Sequence, residues 1–244
     1  MQLKKYKILQ APCFLVEDID ILKQYIINLI NNKQGGYSVA INAEKIIMYS
    51  KSDNIKNIID NSILPIPDGA GAVLGFKLLY NKKCLKVDLP KLILEISNEN
   101  KYNVFLLGSH EKINKLASEK IRQTYPNINI VGRQNGYFDT KEKIINILRK
   151  TKPNVVLLAL GSPKQEILAY ELKDKFPNIL FVGCGGALDI ISGYKKRAPK
   201  IFRDYYLEWL YRLLKEPRRI KRQKVLPIFF FKLVYESFKR RFYK

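Results

Sequence analysis

A carboxylate followed by glycines is the clearest candidate for chemistry in this sequence. Asp68 comes directly after the apolar segment 63–67 and directly before Gly69 and Gly71. Glycines permit tight turns and close approach of a ligand, and the N-terminus of a helix behind them can hold phosphate. A carboxylate can also take the proton of an attacking hydroxyl group. The segment therefore predicts a site that joins a general base to a phosphorylated ligand.

The same loop partly matches a second kind of site, the dinucleotide-binding fingerprint. Gly69, Gly71 and Gly75 give the spacing G-x-G-x-x-x-G, which is one residue too long for that motif. Asp88 lies 19 residues past Gly69, where such proteins place an acidic residue that binds ribose. An NAD-dependent dehydrogenase is therefore an alternative at this point, and a fluorescence change on adding the cofactor would support it.

Two further loops offer polar side chains after apolar segments. Asn42 ends the segment VAIN at a position where a helix cap belongs, and capping alone would explain it. In LGSPKQE, Gly161 provides a turn, after which Lys164, Gln165 and Glu166 are expected at the mouth of a cleft. A helix start closed by a Ser-x-x-Gln capping box is the alternative interpretation of that loop.

A long glycine-rich stretch, 182–199, follows the apolar segment 179–182. Gly185 and Gly186 lie near its start, and Asp189 and Arg197 come later in it. Glycines at this density favour backbone N–H groups that face an anion, so the stretch predicts a binding loop. A loop of small residues without a function is the alternative.

Metal chemistry finds little support. Asp18 and Asp20 form a D-x-D pattern, but they precede an amphipathic segment, and acidic residues are expected in the first turn of a helix. The three cysteines are scattered and form no C-x-x-C or His/Cys cluster, so neither a zinc site nor a disulfide framework is expected. His110 is expected at a helix start or on the surface. We expect neither a metal nor a cofactor.

Alternating strand and helix signals surround these loops. Strands are predicted at 37–41, 63–67, 84–87, 104–107, 128–131, 155–160 and 179–182, with helices at 42–50, 70–80, 88–98, 112–124, 140–150 and 163–175. Several strands are almost continuously apolar, which is typical of strands buried on both faces of a parallel sheet. The pattern predicts an α/β fold with a Rossmann-like, doubly wound, mainly parallel sheet. In such sheets ligands bind beyond the carboxyl ends of the strands.

Charged residues are distributed unevenly along the chain. The whole sequence carries 44 Lys and Arg against 22 Asp and Glu, a net charge of +22 that implies an anionic partner. Residues 194–244 hold 17 basic and 4 acidic residues, whereas the preceding 193 hold 27 and 18. The sequence therefore predicts a Rossmann-like domain over 1–199 and a basic amphipathic appendage over 200–244.

Several motifs in one order resemble the WecG/TagA/CpsF family of bacterial glycosyltransferases. The matching segments are N-A-E at 42–44, P-D-G-x-G-x-V at 67–73, F-L-L-G at 105–108, G-Y-F at 136–138, G-S-P-K-Q-E at 161–166, the G-x-x-x-D-x-x-x-G-x-x-x-R-A-P segment ending at 199, and E-W-L-Y-R-L-x-x-E-P-R-R at 208–219. The resemblance covers about residues 10–225. The chain departs from the family pattern in two places. Ala40 stands where the family has Thr, and of the family's R-V-x-G-x-D at 83–88 only Asp88 and the conservative Lys83 remain, with Lys86 in place of Gly.

The resemblance implies an inverting, metal-independent transfer of a sugar, of N-acetylmannosamine type or another hexose. The donor would be a UDP-sugar and the acceptor a glycan linked to undecaprenyl pyrophosphate. Asp68 matches the family's proposed base, and the motif residues of the donor and acceptor sites would be Asn42, Gly69, Gly71, Gly108, Gly161, Lys164, Gln165, Glu166, Gly185, Gly186, Asp189 and Arg197. Arg212, Arg219 and Arg222 match arginines thought to engage pyrophosphate.

The basic appendage predicts attachment to an anionic membrane. Leu226, Phe230, Leu233 and Val234 can share one helix face with lysines beside it. The longest apolar run, 225–231, is too short to span a bilayer. We therefore expect a cytoplasmic enzyme bound peripherally to the inner face of the membrane, with homo-oligomerisation left open. One alternative is a helix that packs on the domain or on a partner chain; another is a nucleic-acid-binding or RNA-modifying Rossmann protein.

Overall fold

The architecture is a parallel sheet between helical layers, with an N-terminal hairpin and a helical C-terminal segment. The computed structural model describes residues 3–205, 207–217 and 220–242. The strands are β1 (Lys4–Ile8), β2 (Ala11–Leu15), β3 (Gly36–Ile41), β4 (Leu64–Pro67), β5 (Asn103–Gly108), β6 (Asn129–Gln134), β7 (Val155–Ala159) and β8 (Leu180–Gly183). The helices are α1 (Ile19–Asn31), α2 (Ala43–Tyr49), α3 (Asp53–Asp60), α4 (Gly69–Tyr80), α5 (Leu89–Asn100), α6 (Glu111–Thr124), α7 (Lys141–Thr151), α8 (Lys164–Leu172), α9 (Ala187–Ile191), α10 (Lys200–Asp204), α11 (Glu208–Lys215), α12 (Ile220–Gln223) and α13 (Val225–Phe242).

The main sheet has six strands in the order β4-β3-β8-β7-β5-β6, and every pairing in it is parallel. This confirms the predicted Rossmann-like α/β fold. Because all six strands run the same way, the loops after their carboxyl ends lie along one edge of the sheet. That edge is where the predicted site residues Asn42 and Asp68 follow β3 and β4.

The central strands are buried on both faces, which explains their continuous apolar sequence. In β7, Val155 and Leu157 join one apolar core, and Val156 and Leu158 join the other. Successive side chains of a strand point to opposite faces, so one strand contributes to both layers. Apolar burial on two faces holds the strand ends in fixed positions.

Several elements differ from the sequence-based prediction, among them α9, which lies within the stretch predicted as a loop. The strand predicted at 84–87 is wrong: this segment is irregular, and Leu85 N donates a single backbone hydrogen bond to Val16 O at 2.7 Å. The hairpin β1–β2 was not predicted because its turn, Leu9 and Gln10, reaches positive φ without a glycine. Helix α3 was also missed.

The C-terminal helix α13 packs on the sheet domain rather than standing apart. Phe229 and Leu233 are buried, and Ser237 Oγ donates to Leu78 O of α4 at 3.0 Å. The predicted apolar face is therefore wrong in one respect, because Leu233 faces the protein core while Phe230 is exposed. No helix in the described ranges is long and apolar enough to span a membrane. The division at residue 199 stays a prediction.

Candidate active site

Asp68 and Asn42 meet at the edge of the sheet. Asp68 follows β4 at the cap position of α4 but makes no capping hydrogen bond, so its carboxylate is not used by the helix. Asn42 Nδ2 lies 3.5 Å from Asp68 Oδ2. Asn42 Oδ1 accepts a hydrogen bond from the backbone N–H of Lys45 at 3.0 Å. The predicted cap is thus confirmed, and the other end of the same amide contacts Asp68; a role of Asn42 in substrate binding stays a prediction.

The two glycines that follow Asp68 are required for different structural reasons. Gly69 has a φ of +71°, and a Cβ at this position would meet nothing within 4 Å. Gly71 lies against α2, where a Cβ would come 3.0 Å from the Cβ of Ala43. The first glycine therefore makes the left-handed turn, and the second lets the N-terminal ends of α2 and α4 approach.

A buried ion pair lies next to this pair of residues. Lys45 Nζ contacts Glu166 Oε1 at 2.7 Å, and the two side chains are only 5% and 3% exposed. Gln165 Nε2 lies 3.4 Å from the same carboxylate oxygen. Sequence reasoning missed Lys45, since a lysine in a helix is usually solvated. A signal was present in the sequence, because Lys45 lies three residues after the cap residue Asn42 and directly before two apolar residues of α2.

The position of Glu166 corrects the sequence-based interpretation of LGSPKQE. Lys164 is exposed, as expected at the mouth of a cleft, but Gln165 and Glu166 are buried. The alternative of a capping box is also wrong, because α8 has no side-chain cap and Gln165 Oε1 instead accepts from Gly185 N at 3.1 Å. Gln165 fits there because residue 183 is a glycine: a Cβ at this position would lie 2.5 Å from the amide nitrogen of Gln165, which is too close.

Part of the glycine-rich loop after β8 contacts the buried side chain of Gln165. The N–H of Gly185 is bound to Gln165, so it is not a free anion donor as predicted. Gly186 is exposed, and a Cβ on Gly185, Gly186 or Gly161 would meet nothing within 4 Å. Cys184 lies beneath the loop, where burial raises its thiol pKa to about 12. One side of the loop is therefore exposed at Gly186, and the other side is buried at Cys184.

A second group of contacts lies after β5 and β8. Ser109 Oγ donates to Asp189 Oδ1 at 3.0 Å, and Lys195 Nζ lies 3.5 Å from Asp189 Oδ2. Gly108 has a φ of +126°, and a Cβ there would clash with the backbone of Ala159 at 2.4 Å. A glycine at 108 is therefore required by the packing of two strand ends. Asp189 is held facing the same edge of the sheet.

An exposed aromatic pair extends this edge. The rings of His110 and Tyr137 lie 4.8 Å apart, and Tyr137 Oη lies 2.9 Å from His110 Nε2. Buried Asn114 fixes the loops that carry them, since its amide donates to Gly108 O at 2.8 Å and to Gln134 O at 3.2 Å. The predicted surface position of His110 at a helix start is confirmed.

Ion pairs join the C-terminal segment to the sheet domain. Arg197 contacts Asp88 at 2.6 Å, so the Asp88 carboxylate that suggested ribose binding is engaged by an arginine. Lys86 binds Glu208 of α11. The hydrogen bond to Glu216, at 3.0 Å, raises the pKa of Lys195.

The predicted pyrophosphate arginines are only partly described. Arg212 is exposed on α11, one turn after Glu208. Arg219 and the side chain of Arg222 lie outside the described residues.

The D-x-D segment is a helix start, as predicted. Asp18 Oδ1 accepts from Asp20 N at 2.8 Å and caps α1. Within the ranges that the structure describes, no three His, Cys, Asp or Glu side chains are grouped in a way that could hold a metal ion.

A comparison with protein-family models adds an independent finding. The model described as "Glycosyl transferase WecG/TagA/CpsF family" matches residues 7–243, nearly the whole chain.

Proposed function

The chain belongs to the WecG/TagA/CpsF family and is a glycosyltransferase of cell-surface polysaccharide synthesis, and from this we propose its substrates and mechanism. The donor is a UDP-sugar that carries an N-acetylmannosamine-type or other hexose. The acceptor is a glycan linked to undecaprenyl pyrophosphate. Transfer inverts the anomeric configuration and needs no metal ion.

Asp68 is the base in this mechanism. As the acceptor oxygen bonds to the anomeric carbon, its proton passes to the Asp68 carboxylate. The bond from that carbon to the phosphate oxygen breaks on the opposite side, and its electron pair leaves with UDP. The observation that carries the proposal is the uncapped carboxylate of Asp68 at the end of β4, beside the amide of Asn42.

The departing UDP requires positive charge. We assign this role to Arg197 and Arg212, together with Arg219 and Arg222, because guanidinium groups bind phosphate through paired hydrogen bonds. The exposed loop at Gly186 and the carboxylate of Asp189 lie along the same edge of the sheet, and we place the nucleotide there. Asp189 is suited to accept hydrogen bonds from ribose hydroxyls.

Replacing Asp68 tests the mechanism directly. Asp68→Asn keeps the size of the side chain but removes its basicity, so turnover should fall by about 10²–10⁴-fold. The assay combines a panel of UDP-sugars with a lipid-pyrophosphate-linked N-acetylglucosamine analogue. Asp174→Asn, at a carboxylate that is 82% exposed, is the matched control and should retain wild-type turnover. An Asp68→Asn variant with more than about a tenth of wild-type turnover would rule out this base.

We also propose that α13 attaches the enzyme to the anionic inner face of the membrane. Its outward side carries an apolar stripe, spaced by three and four residues and between 41% and 76% exposed: Ile228, Phe231, Tyr235, Phe238 and Phe242. Lys232, Lys239 and Arg241 add positive charge on the same helix. Aromatic side chains and basic residues together suit the headgroup region of an anionic bilayer, where each basic residue contributes about 1 kcal/mol.

Binding to liposomes tests this attachment. Phe231→Ala with Phe238→Ala should weaken binding to phosphatidylglycerol liposomes and leave turnover on a soluble acceptor unchanged. Tyr205→Ala, which removes an aromatic ring that is 73% exposed outside the stripe, is the control. A parallel titration with single-stranded RNA checks the alternative partner for the net charge of +22. Tighter binding to RNA than to liposomes would contradict the membrane assignment.

A further inference from the structure

We propose that Lys45 and Glu166 are positioning residues that fix the base side of the site relative to its glycine-loop side. This inference rests on the proposed function, in which Asp68 is the base. Lys45 belongs to α2, which follows β3, and Glu166 belongs to α8, which follows β7. The ion pair between them links two loops that no strand pairing joins, because β8 lies between β3 and β7 in the sheet.

A continuous chain of contacts passes through this ion pair. On one side, the backbone N–H of Lys45, whose side chain forms the ion pair, donates to Asn42 Oδ1 at 3.0 Å, and Asn42 Nδ2 lies 3.5 Å from Asp68 Oδ2. On the other side, Glu166 Oε1 lies 3.4 Å from the Gln165 amide nitrogen.

The chain of contacts ends in the glycine-rich loop, where Gln165 Oε1 accepts from Gly185 N at 3.1 Å. The contacts therefore connect the loops after β4, β3, β7 and β8. Moving either partner of the pair would change the separation between the carboxylate of Asp68 and this loop.

The geometry of the pair favours positioning over stability. Replacing a buried ion pair with apolar residues of similar size is often neutral or stabilising, so the fold alone does not require these charges. Glu166 Oε1 faces two donors, whereas the buried Glu166 Oε2 has no hydrogen-bond partner among the described residues. A buried polar atom without a partner costs stability. The carboxylate is thus oriented toward Lys45 and Gln165 at the expense of its other oxygen.

The test replaces the pair without leaving a buried charge. Lys45→Met with Glu166→Met should keep the melting temperature within about 4 °C of wild type. It should lower kcat by about 10–100-fold, because small displacements of reacting groups cost that much. UDP affinity should stay within about three-fold. Lys23→Met with Glu99→Met removes a 2.6 Å ion pair on the surface and is the matched control, with no change in kcat expected.

Crystal structures of the double variant supply a readout that does not depend on transfer. Positioning by the pair predicts that Asn42 and the Gln165 amide shift relative to each other. Unchanged positions together with kcat within about three-fold of wild type would overturn the inference. If the double variant does not fold, Lys45→Met with Glu166→Gln carries the same two readouts. A wild-type protein that transfers no sugar would refute the proposed function, while the crystal comparison would still decide the positioning role.

Discussion

The ion pair inside the sheet domain and the ion pairs of the C-terminal segment represent two different uses of charge. Lys45 and Glu166 are almost completely buried, and their contacts continue to Asp68 and Gly185. Arg197 and Asp88 are both about 40% exposed, and Arg197 comes from the long loop before α10. Buried pairs are weakly screened and costly to break, whereas exposed pairs contribute little and weaken with salt. The contacts of the buried pair are therefore expected to stay fixed, and those of the C-terminal segment to respond to salt.

Removing one carboxylate from each region should give the largest contrast in stability. Glu166→Ala leaves the ammonium group of Lys45 buried and unpaired, so the free energy of unfolding should fall by about 3–5 kcal/mol. Glu208→Ala removes the partner of Lys86 at a partly exposed site, and the expected loss is about 1 kcal/mol or less. Urea unfolding measures both variants. Equal losses would show that burial does not separate the two regions.

The sequence predicted the polar residues at the strand ends but not the buried contacts behind them. Asp68 and Asn42 could be predicted because strand ends in a parallel sheet place polar loops together. The burial of Glu166 depends on Lys45, more than 100 residues earlier, and on a glycine at 183 that leaves room for the Gln165 amide. Residue types and local spacing do not reveal such long-range complementarity.

The C-terminal helix α13 shows a related limit of prediction from sequence. Helix α13 carries two apolar stripes, one through Phe229 and Leu233 and one through Phe231 and Tyr235. Either stripe satisfies helical periodicity, so the pattern alone predicts an apolar face without indicating which side packs on the protein. The choice is made by the surfaces of α2 and α4, which α13 contacts. Sequence reasoning therefore assigned Leu233 to the membrane side when it belongs to the core.

Exchanging the charges of the partly exposed pair Lys86–Glu208 should test the comparison further. Lys86→Glu places two carboxylates together and should lower turnover by about two- to five-fold, since α11 carries Arg212 and Lys86 holds its first turn. Adding Glu208→Lys restores opposite charges and should recover most of that turnover. The measurement is kcat/KM for the UDP-sugar in the single and double variants. Failure of the second change to restore turnover would mean that the pair does not position α11.

Salt should act on the two regions differently. Raising NaCl from about 0.1 M to 1 M shortens the screening length from about 10 Å to 3 Å. This weakens the pairs of Lys86, Lys195 and Arg197, whose side chains are more exposed than those of Lys45 and Glu166. Amide hydrogen exchange in α10 and α11 should rise by about two- to five-fold, while exchange in α2 and α8 should change little. A uniform increase in all four helices would indicate global destabilisation instead.

The smallest expected effect concerns an exposed carboxylate beside the aromatic pair. Hydrogen bonds from Arg133, at 2.5 Å, and from Asn135 lower the pKa of Glu111 below its usual value. Because the folded-state pKa is the lower one, this contact stabilises the protein above the unfolded pKa of about 4.3. That stability is lost as the pH falls through the folded value. Glu111 is 56% exposed, so solvent screening keeps the effect below about 1 kcal/mol.

Urea unfolding of wild type and Glu111→Gln at pH 6 and pH 3 measures this contribution. The wild type should be slightly more stable than the variant at pH 6, and the difference should shrink toward pH 3, because this contribution is lost as the pH falls through the lowered folded-state pKa of Glu111. The contact also holds Asn135, whose carbonyl group in the side chain accepts from Tyr137 N at 2.9 Å. Acid should therefore loosen the loop of Tyr137 as Glu111 becomes protonated. A difference that grows toward pH 3 would reverse the sign and rule out a lowered pKa at Glu111.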